Sequence, residues 1–236
     1  MGLRRRSLLK KAGTAGLGAM AVTGTAGARE HEGYCKAFVP PTEEVMREHG
    51  VVHRLLMVYD EVARRLARKQ DVPSVVLNTN RLVDGFIENF HEELEEGLIF
   101  NEFRRAGSHS DLVKELSKQH RLGRMIAQRA YFLAGKADPM EDPTRRQIVR
   151  ACRTYARMYR AHAAYEDSVL LPAFRDLVSE NKFREIGEEY REQEKERFGS
   201  AGVAGMLEEL GEIERVLDIG SLDAFTPSER RWSGES

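Results

Sequence analysis

The sequence predicts an all-α fold: an antiparallel up-down-up-down four-helix bundle carrying two further helices at its C-terminal end. Three observations predict it. Apolar residues recur at helical spacing through four long stretches, separated by short breaks containing Gly, Pro or Ser. The composition, 41% hydrophobic, 32% charged and 8% aromatic with seven prolines in 236 residues, suits a helical protein with one sizeable core. Finally, His49, His91 and Glu95 recur at a constant offset of 71 residues as His120, His162 and Glu166, so the chain contains two equivalent halves.

The first helix is expected over 43–69. Thr42 with Glu43 and Glu44 is a helix start, and Val45, Val52, Leu55, Leu56, Tyr59, Val62 and Leu66 keep a helical period. Asp71, Val72 and Pro73 break it. The second helix, 74–105, carries Val75, Val76, Leu82, Phe86, Phe90, Leu94, Leu98 and Phe103 on its apolar stripe. A loop over 106–111 offers Ser110 or Asp111 as cap for the third helix, which runs to 134 and stops at Gly135. A connection over 138–143 places Pro143 in the first turn of the fourth helix. That helix should extend to 171, where Pro172 kinks or ends it. Two amphipathic helices, 180–198 and 202–217, are separated by Phe198, Gly199 and Ser200 and read as a helical hairpin on the bundle. The bundle domain thus spans 43–178, the extension 179–225, and a Ser/Glu/Arg-rich tail, read as mobile, 226–236.

Ahead of the bundle stand a leader, 1–28, and a tether, 29–42. Arg5-Arg6-Ser7-Leu8-Leu9-Lys10 resembles the twin-arginine export motif, and Ala26-Gly27-Ala28 offers a small-x-small cleavage pattern. The stretch between them is too Gly-rich and too mildly apolar for a general secretory signal. The resemblance implies export of an already folded protein to the periplasm or another extracytoplasmic space, a route compatible with a metal loaded beforehand. The leader holds Arg4, Arg5, Arg6, Lys10 and Lys11 and no acid, so the formal net charge of -1 becomes -6 without it. Such a balance argues against nucleic acid as the main partner. After the leader, no stretch approaches the roughly 20 apolar residues of a membrane-spanning helix. Cys35 and Cys152 lack metal or redox spacing, and both a disulfide and isolated thiols are open.

The repeated residues have a chemistry. Positions four apart on a helix lie one turn apart on the same side. His91 with Glu95, and His162 with Glu166, therefore each direct an imidazole and a carboxylate at one ion, and His49 and His120 add one imidazole each from facing helices. A nitrogen and oxygen donor set without thiolate suits iron, manganese or zinc. Two carboxylates on opposite helices can bridge two ions, and six ligands for two metals leave exchangeable positions.

These residues also resemble a known family. Phe90-His91-Glu92-Glu93-Leu94-Glu95-Glu96 and His162-Ala163-Ala164-Tyr165-Glu166-Asp167 are similar to the paired His-x-x-x-Glu motifs of hemerythrin-like (HHE cation-binding) domains. Glu48-His49-Gly50 and Gln119-His120 resemble that family's first- and third-helix signatures, so the likeness covers about 43–175. It implies a centre of two non-haem iron ions in a four-helix bundle, with manganese or zinc as other occupants. Family roles include O2 binding, sensing of O2, NO or redox state, iron handling and peroxide breakdown.

The chain departs from the oxygen-carrying members in two places. Arg124 stands where they have a second histidine on the third helix, and their last carboxylate has the spacing of Asp167. Glu166 is preferred as ligand because it matches Glu95 under the repeat. His53, the repeat mate of Arg124, is read either as a fifth imidazole or as a polar residue near the site. Glu88, Glu96 and Asp167 are candidates to orient the imidazoles. The ferritin-like Glu-x-x-His pattern fits once, at Glu88 and His91, and fails at Tyr159 before His162. Tyr155, Met158 and Tyr159 read as core packing, and His31 and His109 as exposed. The expected function is that of an exported di-iron protein that binds or senses O2, NO or peroxide. The alternatives are a peroxide-decomposing or iron-handling enzyme, or a structural bundle with a zinc or degenerate site.

Overall fold

Four helices close into a bundle because each presents an apolar stripe to its neighbours. In the computed structural model, which describes residues 38–229, helix α1 is Pro41–Ala67, α2 the continuous run 73–106, α3 Ser110–Ala134 and α4 the run 142–177. Helices α5 (Glu180–Phe198) and α6 (Gly202–Val216) follow, then a short 3-10 turn, Leu222–Phe225. There is no strand among the described residues. The leader, His31, Cys35 and the end of the tail lie outside them.

Pro41 opens α1 without needing a backbone donor, Glu43 and Glu44 face the positive end of the helix, and Arg64 and Arg65 face its negative end. The α1 stripe read from sequence is buried from Val45 to Leu66. Helix α1 packs along α4, α4 along α3, α3 along α2 and α2 along α1. The buried Arg145 of α4 donates to the Leu66 carbonyl at 2.7 Å, tying the end of α1 to its neighbour. Tyr59, Tyr155 and Tyr159 fill the centre, with ring centroids 5.0 and 4.4 Å apart. Cys152 is buried and forms no disulfide among the described residues, and burial pushes its thiol up to a pKa of about 12.

Several boundaries differ from the sequence reading, beginning with α1, which is Pro41–Ala67 where 43–69 was expected. Neither Ser110 nor Asp111 caps α3; His109, at φ 50°, precedes its first residue, and Gly107, at φ 63°, closes α2 in the left-handed conformation that glycine adopts without strain. The last helix ends at Val216. Pro172 does not end α4, which runs on to Leu177. The reason is a widened turn just before it: the Leu171 N–H reaches the Glu166 carbonyl five residues back. A π-turn of this kind opens the helix where the proline ring and its missing donor would otherwise break it.

Helix α2 contains the same device, with the Phe100 N–H bonded to the Glu95 carbonyl. These π-turns, Glu95–Ile99 and Glu166–Leu170, repeat the sequence offset in the backbone, whereas a longer π stretch, Val83–His91, precedes the first and has no mate in α4. Outside the bundle, α5 and α6 pack on each other and against α1, and α6 also meets α2. Phe198 sits edge-on to Phe90 at 4.8 Å, and Arg54 of α1 makes a two-pronged pair with the buried Glu214 of α6, at 2.8 and 2.5 Å.

Candidate metal centre

Each of the four bundle helices delivers polar residues to one level of the interior. His49 comes from α1, His91 and Glu95 from α2, His120 from α3, and His162 and Glu166 from α4; all six are at most 2% exposed. Two groups form, His49 with His91 and Glu95, and Glu95 with His120, His162 and Glu166, the contributing atoms of each group lying within 4.8 Å of one another. Glu95 belongs to both. Glu166 Oε2 is 3.1 Å from His162 Nε2 and 3.3 Å from His49 Nε2, so it too faces both groups. Glu95 carboxylate oxygens lie 3.5, 3.6 and 3.7 Å from Nε2 of His120, His91 and His49.

The outward nitrogens are all held. Nδ1–H of His49 donates to Asp167 at 2.7 Å, that of His91 to Glu48 at 2.8 Å, that of His120 to Glu96 at 2.9 Å, and that of His162 to the Gln119 amide oxygen at 3.1 Å. With every Nδ1 so engaged, each imidazole turns Nε2 inward, the arrangement that fixes tautomer and ring orientation at metal sites. These acceptors obey the repeat as well, since Glu48 and Gln119, and Glu96 and Asp167, are 71 positions apart.

The electrostatics follow from burial against mutual charge. Desolvation alone would raise Glu95, but His91, His120 and His49 outweigh it and hold the carboxyl well below its usual range. Glu166 is likewise lowered: burial and the Glu95 charge oppose ionisation, and His162 and His49 overcome them. For His120, burial favours the neutral ring, yet hydrogen bonds to Glu95 and Glu96 carry the pKa up to about 10. His49 is pushed well above the ordinary value in the same way, through Asp167, Glu166 and Glu95 against burial.

A profile of the hemerythrin HHE cation binding domain matches residues 41–174. Proteins of Mycobacterium tuberculosis and Mycobacterium bovis carried as "uncharacterized protein" are 34% identical over 233 residues, 95% of this chain and 91% of each of theirs. No solved structure matches. The chain belongs to the hemerythrin HHE cation-binding family. Its HHE domain ends before α5, so the C-terminal hairpin lies beyond the matched region.

Of the residues singled out in this HHE domain from sequence, the six repeated ones converge. Asp167 contacts the outer face of His49, and Glu96 that of His120, rather than joining either group. His53 is exposed and stands outside both groups. Arg124, its repeat mate, places Nη2 2.7 Å from the buried Glu92 carboxylate, which also accepts from the Tyr159 hydroxyl. Glu92 was missed by the sequence reading, as were Glu48 and Gln119 as imidazole partners. The latter two carried a signal, because each directly precedes a repeated histidine.

Whether the pocket of atoms suits a cation is visible in what lacks a partner. His49 Nε2, Glu95 Oε2 and both Glu166 oxygens are buried without a hydrogen-bond partner among the described residues. Buried polar atoms are rarely left so. Here they converge on one volume and are all metal-ligating types, and the donor set fits divalent or trivalent first-row ions.

Proposed function

We propose that this chain is an exported non-haem di-iron protein that binds or senses a small oxidising ligand: O2, NO or peroxide. One ion would be held by His49, His91 and Glu95, the other by His120, His162 and Glu166, inside an antiparallel up-down-up-down bundle. The observation that carries the reading is the inward convergence of four Nε2 atoms on two buried, ionised carboxylates. Iron bound there would supply redox chemistry and open coordination positions for a small ligand. The chain supplies the rest. Asp167, Glu48, Glu96 and Gln119 orient the rings, the aromatic packing of Tyr155 and Tyr159 keeps bulk water from the bundle interior, and Arg124 balances the buried Glu92.

Purified from iron-replete cells, the protein should carry close to two irons per chain, with visible absorption that changes on reduction. Replacing His162 by Ala should lower the metal content to about one or less. A metal-free or solely zinc-filled wild type overturns the di-iron reading. Oxygen release from added peroxide, compared between wild type and His120→Ala, separates a peroxide-decomposing enzyme from a binding protein. For export, the double change Arg5→Lys with Arg6→Lys should leave the folded protein in the cytoplasm; unchanged extracytoplasmic recovery removes the twin-arginine assignment.

A further inference from the structure

The C-terminal hairpin does more than cover an apolar face. Tyr190 of α5 is fully buried, and its hydroxyl donates to Glu48 Oε2 at 3.0 Å. The same carboxylate oxygen accepts Nδ1–H of His91 at 2.8 Å. A continuous chain, Tyr190 to Glu48 to His91, therefore runs from an element outside the matched HHE domain into the candidate centre.

The sequence arranges for this contact. Gly187, one turn before Tyr190, lies against Phe38 and Pro41; a side-chain carbon there would come within 2.9 and 3.1 Å of them. Glycine lets α5 approach the start of α1 closely, and the Arg47–Glu194 pair, at 2.9 Å, holds the two helices together further along. The Tyr190 ring packs edge-on to Phe90, the neighbour of His91, at 6.3 Å.

The other half of the repeat shows why a donor is needed here. Gln119, the repeat mate of Glu48, performs the same task for His162 from α3, and it is half-buried. An amide needs no countercharge. Glu48, at 0% exposure, is a carboxylate with one oxygen entirely unpartnered, so its position depends on the two donors shared by the other oxygen. A buried charge without enough donors is costly and moves or relaxes.

We propose that Tyr190 is a positioning residue for the metal centre: it fixes Glu48, and through it the His91 imidazole, so that the C-terminal hairpin sets the affinity of the His49–His91–Glu95 position. The proposal rests on the metal-centre reading above. Partners one bond from a ligand typically alter metal affinity 10–100-fold, and Tyr190 is one bond further out, so an effect of roughly 3–10-fold is expected.

The test uses the full chain, titrated anaerobically with Fe(II) against a competing chelator, with visible spectra of the oxidised iron-loaded form. Tyr190→Phe keeps the ring and removes the hydroxyl. It should weaken iron binding by that factor and displace the visible bands, with little change in melting temperature. Phe198→Leu loosens the hairpin at Phe90 without touching the hydrogen bond; it should lower the melting temperature and leave affinity and spectrum as in the wild type. Wild-type affinity and spectrum in Tyr190→Phe overturn the proposal alone. Equal losses of affinity in both variants also overturn it, because hairpin docking and not the hydroxyl would then be responsible. A wild type that takes up no iron overturns the metal centre and this proposal together.

Discussion

A histidine becomes a dependable ligand when something else decides which nitrogen carries its proton. Here four oxygen acceptors make that decision, and each sits on Nδ1. The same groups set the acid–base behaviour of the metal-free protein. His120 has a pKa raised to about 10, first against burial and then through Glu95 and Glu96. A group whose pKa is higher folded than unfolded contributes stability below the unfolded value, near 6.5, and loses it as pH climbs through the folded one. The metal-free protein should therefore melt at progressively lower temperature between about pH 6.5 and 10, as thermal scans at several pH values will show. With metal on Nε2 that proton is already gone, so the loaded protein should show a flatter dependence over the same range. Loading near neutral pH should release protons, measurable by pH-stat. Equal pH slopes for the two forms contradict this account.

At the level of helices, the backbone itself bends to the site. Glu95 and Glu166 each begin a π-turn, and in α4 that turn also accommodates Pro172. A second local adjustment lies on α3. An added Cβ at Gly123 would come within 2.6 Å of Cε2 of Tyr159, a buried ring that stacks on Tyr155 and donates to Glu92. Gly123→Ala should cost about 1–3 kcal/mol in denaturant unfolding, the usual range for overpacking a filled interior. Unaltered stability would mean that Tyr159 has room to move. Most helix positions were legible in the sequence, because apolar period and proline or glycine breaks are local signals. The six residues that converge inside the bundle were legible for a different reason: the duplication gave each one a check on the other. Glu48 and Gln119 escaped although the repeat marked them; two other features had no mark in the residues themselves. The run through Pro172 depends on a hydrogen-bond shift that leaves no residue signature. Likewise, nothing near Tyr190 in sequence announces a partner 142 positions away.

Across the whole molecule, the hairpin and bundle are joined by charge as well as by aromatic packing. Glu214 is buried and depends on Arg54, whose own side chain is 37% exposed. Arg54→Ala leaves that carboxylate without its partner and should destabilise the fold by roughly 1–3 kcal/mol, the cost of an unsatisfied buried group, with the exposed arginine face limiting it. Chemical denaturation can measure this, and the unfolding transition should remain single if hairpin and bundle melt together. The four imidazole partners tell of a different kind of union. His49 is steadied by Asp167 and His120 by Glu96, each from the opposite half of the repeat, while Glu95 serves both groups. A lone pair of helices would thus carry an incomplete shell for any ion. Either half of the repeat is therefore completed only by the other: a cut between α2 and α3 would part His49 from Asp167 and His120 from Glu96.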